Sequence, residues 1–304
     1  SCDISHEPLP REDGGVAGSY PQPILCRDRI CHLGEPLAVI VATDRAALAR
    51  ALDAVVPDIR EAEPVSGRAF FRRFGDATAA VDAMTGAAHR KRVSLHVPRM
   101  TAFPLEPRGA IATPDGAGGL TYRASTQNPF ALRAQLAEHL GIAPDRFRAL
   151  AQDVGGSFGL KGFMAREDAA LAWAALKLGR EIAWLPTRSE AMLADAQGRG
   201  VTGEIEIGLD QDLRIKAVLA QFSIDCGAYP GRRAYGLMNN VGGMCGMYDI
   251  PAIGVEIEGI LSPRLPLAPF RGNGRPEATH PIERAPDAIA RALRSEAHTS
   301  EPQS

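Results

Sequence analysis

The 304-residue chain is short of the features that mark the specialised protein classes. Its five cysteines, Cys2, Cys26, Cys31, Cys226 and Cys245, are odd in number and form no C-x-x-C pair. That spacing argues against a disulfide framework, and equally against an iron–sulfur cluster or structural zinc held by this chain. A reducing cytoplasmic setting is the simpler expectation. No apolar run approaches the length of a membrane span, and the opening residues have neither a basic start nor an apolar signal stretch. Blocks of one charge are missing as well. The 34 basic and 36 acidic residues are interspersed to a net charge of -2, which predicts neither a nucleic-acid nor an anionic-membrane partner. Histidines 32, 89, 96, 139 and 280 are scattered without an i, i+4 carboxylate pairing, so they read as surface or packed side chains.

What is present is ordinary globular material, 45% hydrophobic and long enough for two domains. Residues 32–65 read as strand, helix, strand: 37–41 are apolar and β-branched, Thr43 can cap, and Leu48, Leu52 and Val55 recur at helical spacing before Pro57. Residues 66–92 lack a clear period and suit a connector, which places the domain boundary there. Strands are expected near 93–97 and 120–124. A helix follows Asn128, which caps it, with Pro129 at its first position, Leu132, Leu136 and Leu140 on one face, and Gly141 as its stop. Residues 148–154 form a short strand that runs into Gly155-Gly156-Ser157-Phe158-Gly159, and a helix is expected over 163–178. Alternation from Val201 to Leu209, a turn at 210–212 and the apolar positions 213, 215 and 217 give a hairpin with one buried face.

Two segments could carry chemistry. Glycines around Phe158, between a strand and a helix, allow backbone N–H groups to approach an anion at a helix N-terminus. The loop lacks both P-loop and dinucleotide spacing, so a tight structural turn and a ligand loop both stay open. The second segment, Pro269-Phe270-Arg271-Gly272-Asn273-Gly274-Arg275-Pro276-Glu277, sets two arginines beside flexible backbone, which suits bidentate anion contacts or a solvated loop. Glu106 and Glu283 read as hydrogen-bonding partners of backbone or arginine rather than catalytic bases, and Cys226 and Cys245 as small buried side chains.

These two loops stand in order with further phrases. His32-Leu33-Gly34-Glu35-Pro36-Leu37-Ala38 resembles the phrase opening a strand of a small α/β hammerhead domain. Pro104-Leu105-Glu106-Pro107-Arg108, Ser125-Thr126-Gln127-Asn128-Pro129, residues 153–161, Asp225-Cys226-Gly227-Ala228-Tyr229 and residues 270–277 resemble successive motifs of a first molybdenum-cofactor-binding region. Together they cover most of 31–293 and identify a resemblance to the large, molybdenum-pterin-binding subunit of the xanthine dehydrogenase, aldehyde oxidase and carbon monoxide dehydrogenase family. The resemblance implies an α+β fold, with a partial hammerhead domain (1–65), a connector (66–92) and the first molybdopterin-cofactor-binding domain (93–293). It implies an oxidoreductase that inserts water-derived oxygen into a small-molecule substrate. Its molybdenum would be held by molybdopterin, in the cytosine dinucleotide form, and not by side chains. In such proteins the loop matching Gly156, Ser157, Phe158 and Gly159 lies over the molybdenum centre, with the arginine matching Arg271 and its neighbour Gly272 close by and Gln127 as a further polar contact. Partner subunits carrying FAD and a 2Fe-2S centre are implied.

Departures narrow this expectation. Purine-hydroxylating members carry a glutamate after the loop lysine, whereas Lys161 is followed by Gly162, which disfavours a purine. Carbon monoxide dehydrogenases carry a copper-binding cysteine where Gly272 stands. An aldehyde or N-heterocycle is left. Ser157 replaces a commoner glycine and is tolerated only if its φ is negative. The second cofactor region of the family, with its base glutamate, has no counterpart in this chain, so the catalytic residue is unknown and the chain alone is expected to be inactive. Residues 294–304 resemble the read-through of a sequencing adapter and are read as non-biological. The competing functional class is a nucleotide-binding or carrier module built on the glycine loop.

Overall fold

The computed structural model describes residues 20–231 and 236–294 in full, with the backbone of 3–4, 9–10, 16–18 and 295–300. Four short strands come first, β1 (Asp3–Ile4), β2 (Leu9–Pro10), β3 (Val16–Gly18) and β4 (Gln22–Pro23), with β1 antiparallel to β4 and β2 to β3. Helix α1 (Arg45–Asp53) follows, capped by Asp44, whose side chain accepts from the Ala47 amide at 2.8 Å. The cap is therefore Asp44, one residue beyond the expected Thr43. No strand forms at 37–41 or between α1 and residue 65. The β-branched run at 37–41 finds no ladder partner among the described residues, and a strand without one leaves its backbone groups to water.

The expected connector is a second correction. Residues 66–92 hold β5 (Gly67–Gly75), α2 (Ala77–Thr85) and the start of β6 (His89–Thr101). β5 is the edge of a five-stranded sheet in the order β5, β13 (Ala252–Leu261), β12 (Ile215–Gly227), β11 (Gln197–Leu209), β6. Its alternation is hidden because an edge strand carries charges, and Arg73 pairs with Glu256 of the neighbouring strand at 3.0 Å.

Between β6 and β11 the chain inserts a second unit: β7 (Ala110–Pro114), β8 (Leu120–Ala124), α3 (Pro129–Leu140), β9 (Phe147–Leu150), α4 (Arg166–Leu178), β10 (Ile182–Trp184) and α5 (Arg188–Ala194). Its sheet runs β10-β7-β8-β9, with β8 and β9 parallel. Leu132, Leu136, Ala169, Ala172 and Ala175 of α3 and α4 pack on Ala112, Leu120, Tyr122 and Phe147. α3 has the expected ends: the Asn128 side chain accepts from the Ala131 amide, and Gly141 takes the left-handed conformation.

The chain then returns to the first sheet through β11 (Gln197–Leu209), β12 (Ile215–Gly227), α6 (Gly236–Asn240), β13 (Ala252–Leu261) and α7 (Arg275–Ser300). β11 and β12 make the expected hairpin, with Val201, Ile205, Ile207 and Leu209 buried. α7 lays Ala278, Ile282, Ala285 and Ile289 on that core. The spacing suits a helical stripe, although Pro281 and Pro286 lie inside the helix. Of the tail set apart at 294–304, residues 301–304 lie outside the described residues, and of 295–300 only helical backbone is described. No described helix is long and apolar enough to cross a membrane. Cys226 is buried as expected, whereas Cys245 is only partly so.

A buried cluster docks the segment ahead of α1. Glu35, from the His32–Ala38 phrase, pairs with Arg166 of α4 at 2.9 Å and accepts from the Tyr229 hydroxyl at 2.7 Å and the Cys31 amide at 2.6 Å. Burial opposes the Glu35 charge, but these donors outweigh it and hold the carboxyl below the ordinary glutamate value.

Candidate functional site

Parallel neighbours β8 and β9 end at the same edge of the smaller sheet, so the segments leaving them meet. Gln127 follows β8, and the glycine loop follows β9. The Gln127 side-chain carbonyl accepts from the Ser157 hydroxyl and from the Gly159 amide, the latter at 3.0 Å. Ser157 Oγ accepts from the Lys161 amide at 3.0 Å, and the Lys161 carbonyl accepts from Gln127 N–H at 3.1 Å and Thr126 Oγ1 at 2.9 Å. The result is a closed ring of hydrogen bonds. Gln127 thus supports the loop with its oxygen, while an added Cβ on Gly162 would lie 3.4 Å from its amide nitrogen.

Within the loop, left-handed φ values fall on Gly156 (96°), Phe158 (55°) and Gly159 (107°), not on Ser157. The condition for tolerating a serine is therefore met. Phe158 instead carries the strained backbone, which for a non-glycine residue costs about 1 kcal/mol and needs a surrounding structure that enforces it. Beneath the loop, Lys161 is fully buried. Its Nζ donates to the Glu106 carboxylate and carbonyl, both at 2.9 Å, and to Ser125 Oγ at 2.6 Å. Glu106 also accepts from the Gly155 amide at 2.8 Å. Its partial burial disfavours the carboxylate, yet Ser125, Lys161 and Gly155 outweigh this and lower its pKa.

The second loop arrives from the larger sheet. Gln197 at the start of β11 pairs with the chain at 266–268, through Gln197 N–H to Pro266 O at 3.2 Å and Ala268 N–H to Gln197 O at 2.7 Å. This delivers Arg271 to the glycine loop. Arg271 N–H donates to the Phe158 carbonyl at 2.8 Å, and its guanidinium carbon lies 5.7 Å from the centre of the Phe158 ring. Contact is close enough that a Cβ on Gly159 would sit 2.2 Å from the Pro269 carbonyl oxygen. Gly272 (φ 96°), Asn273 (29°) and Gly274 (91°) turn the chain into α7. Gln127, Gly156, Ser157, Phe158, Gly159, Arg271 and Gly272 therefore share one place, and the side chains of Phe158, Arg271 and Gln127 are exposed there.

One expectation about this loop is corrected. Residues 160–162 form a turn of 3-10 helix, and α4 starts only at Arg166, not at 163. The first turn of α4 is occupied by its own acids: Asp168 accepts from the Ala165 amide at 2.8 Å, and Glu167 pairs with Arg108 at 2.9 Å. The field of that helix terminus is already answered by carboxylates, so the glycine loop does not present it to a phosphate.

Two supporting residues escaped sequence reasoning. Asn240 of α6 donates to the carbonyls of Asn273 at 2.9 Å and Gly236 at 2.8 Å. Arg199 of β11 reaches Glu277 and the Arg271 carbonyl. Neither stands in a recognisable phrase; only the buried contact reveals them. Among the described residues, no group of three His, Cys, Asp or Glu side chains could hold a metal ion.

The model of the molybdopterin cofactor-binding domain family matches residues 62–299, so the match begins before the expected domain boundary. The chain is 26% identical over 287 residues to the 6-hydroxypseudooxynicotine dehydrogenase complex subunit gamma of Paenarthrobacter nicotinovorans, covering 87% of this chain and 36% of that protein. It is 28% identical over 300 residues to the nicotine 6-hydroxylase large subunit of the same organism, covering 90% and 36%. Quinoline 2-oxidoreductase from Pseudomonas putida 86 shares the fold with a TM-score of 0.84 at 22% identity, over 96% of this chain and 41% of that one. The chain thus spans little more than a third of the length of these curated relatives.

Proposed function

This chain belongs to the molybdopterin cofactor-binding domain family, and from that premise we propose that its Phe158 and Arg271 loops form the wall facing the molybdenum end of the cofactor. The observation that carries the reading is the 2.8 Å hydrogen bond from Arg271 N–H to the Phe158 carbonyl, which joins loops from two different sheets into one surface. The residues present fit such a group. Arg271 leaves an exposed cation on that surface, the Gln127 carbonyl is committed to the loop so that its amide N–H groups are turned elsewhere, and the Glu106 charge is answered by Lys161. A donor-rich, cation-bearing face suits an anionic ligand. Bound there, a molybdopterin would supply the two-electron redox chemistry.

This chain's own residues would bind and orient. Arg271 would fix negative charge, Gln127 would donate from its amide, Phe158 would shield the site from water with its ring, and Gly156, Ser157, Gly159 and Gly272 would let the backbone come close. The reaction belongs to the longer protein, of which these residues supply one wall; alone they are inactive. The substrate is an aldehyde or an N-heterocycle, oxidised with water-derived oxygen. Gly162 in place of a glutamate weighs against purines, and Gly272 offers no thiolate for copper. The nicotine and quinoline in the relatives' names favour the heterocycle. The cytosine dinucleotide form of the cofactor, FAD-binding and 2Fe-2S partner subunits, a cytoplasmic location and a partial hammerhead domain before residue 66 complete the proposal. The alternative of a nucleotide-binding or carrier module is less favoured, because the helix after the glycine loop starts only at Arg166 and carries Glu167 and Asp168 in its first turn.

Metal analysis and pterin release from the longer protein, made together with cofactor-maturation proteins, test this. Equimolar molybdenum and pterin are expected, with both reduced by Arg271→Ala. Neither being found in the unaltered protein would overturn the reading.

A further inference from the structure

β11 carries an irregularity that its sequence does not advertise. Arg199 and Gly200, the third and fourth residues of β11, have consecutive left-handed φ values, 66° and 77°. The ladder with β6 pairs Arg199 with Arg99 and Val201 with Val97, which sets Gly200 opposite Pro98, a residue with no N–H to give. An arginine in that conformation is strained, and strain persists where the surroundings enforce it.

What enforces it is the side chain. The Arg199 guanidinium, 8% exposed, donates from Nη1 to the buried Glu277 carboxylate at 2.8 Å and from Nη2 to the Arg271 carbonyl at 2.6 Å, and lies 4.9 Å from the centre of the Phe270 ring. Arg271 is therefore held on both sides of its backbone, by the Phe158 carbonyl at its N–H and by Arg199 at its C=O. Glu277, in the first turn of α7, fixes the far end of the same loop.

We propose that Arg199 is a positioning residue for the candidate site: its guanidinium clamps the Arg271 peptide between β11 and α7 and so sets where the exposed Arg271 side chain stands. This rests on the reading that the Phe158 and Arg271 loops face the cofactor. The planar fork of arginine is required, because one guanidinium must bridge a carboxylate and a carbonyl in fixed geometry, which an ammonium does poorly.

The test uses the longer protein purified with its cofactor and reads two things, the thermal midpoint and the rate of pterin loss on dilution. Arg199→Met with Glu277→Leu replaces the buried pair by apolar volume, a change that commonly leaves stability intact. We expect the double variant to melt near the unaltered protein yet lose pterin at least about tenfold faster, the scale seen when a group behind a ligand is removed. Arg199→Lys keeps a charge for Glu277 and should fall between the two, which guards against a double variant that fails to fold. Folded Arg199 variants that retain pterin like the unaltered protein, while Arg271→Ala loses it, overturn the clamp and leave the site standing. If Arg271→Ala also retains pterin, the site reading fails and takes the clamp with it. Pterin loss that merely follows a falling melting temperature assigns Arg199 a structural role only and likewise overturns the proposal.

Discussion

Lys161 Nζ lies 2.9 Å from Glu106 Oε2, and the two partners are unequal: the lysine side chain is fully buried, whereas the glutamate side chain is 39% exposed. The asymmetry decides what each deletion costs. Glu106→Ala strips a buried cation of its counter-charge and should destabilise the protein by about 3 kcal/mol. Lys161→Met removes the charge that needed burying and leaves Glu106 with Ser125, the Gly155 amide and solvent, so about 1 kcal/mol is expected. Urea denaturation of both variants measures the order; a costlier Lys161→Met would show that the lysine is tolerated for other reasons.

The same pair predicts an acid response. Because the folded-state pKa of Glu106 is lowered, its stabilising contribution is complete above its unfolded value, near about 4.3, and is lost as pH falls through the lower folded value. The protection factor of the Gly155 amide, corrected for intrinsic exchange, should therefore show an excess fall as pH drops below about 4. Glu106→Gln should remove that excess.

Gly159→Ala tests the approach of the two loops. A methyl there meets the Pro269 carbonyl oxygen at 2.2 Å, and the φ of 107° is foreign to alanine. At least about 2 kcal/mol should be lost. Gly141→Ala is the control, since its φ of 65° is also left-handed but nothing lies within 4 Å of an added Cβ; about 1 kcal/mol is expected there. Equal losses at the two positions would mean that backbone conformation, not loop contact, explains Gly159.

The sequence reveals elements whose signal is local. α3 carries its cap, its stripe and its stop within 14 residues, and the β11–β12 hairpin alternates around an Asp-Gln-Asp turn. β5 and α2 are illegible because the Phe-Phe-Arg-Arg-Phe run of an edge strand mixes core contacts with edge charges, and its meaning depends on β13, almost two hundred residues later. The stripe of α7 is masked by two prolines. Residues 37–41 mislead in the other direction: they have strand composition, but a strand also needs a neighbour. At the candidate site, glycines and Arg271 stand out through family resemblance, whereas Arg199 acts only through contacts with residues 72 and 78 positions away.

Cys226 should be inert. Burial, helped by the adjacent Asp225 charge, pushes its thiol up to about 12, so at pH 8 it holds roughly a thousandfold less thiolate than a free cysteine. Mass spectrometry after brief iodoacetamide treatment of the native protein should find label on partly exposed Cys31 and Cys245 well before Cys226. Early labelling of Cys226 would mean that the end of β12 opens under native conditions.

Arg108 gives the sharpest test of a buried charge network, because it serves two acids at once. Its guanidinium binds Glu167 at 2.9 and 3.1 Å and Asp195 at 2.7 Å, and stacks 5.5 Å from the centre of the Trp184 ring. Burial alone would raise the Glu167 pKa; the charge and hydrogen bonds of Arg108 reverse that and lower it. Arg108→Met should therefore cost about 4 kcal/mol at pH 7, where Glu167 is left charged and unpaired. The penalty has a definite pH dependence. In the unaltered protein the contribution of Glu167 is lost as pH falls through its lowered folded value, whereas in the variant burial raises that value and protonation on acidification relieves the strain. The stability gap between the two proteins should accordingly shrink from pH 7 toward pH 4. Emission from Trp184 should shift in the variant, and Trp173, on the exposed side of α4, can be replaced by phenylalanine to isolate that signal. A gap that is flat with pH would mean that no buried acid depends on the Arg108 charge, and that its packing on Trp184 explains the loss.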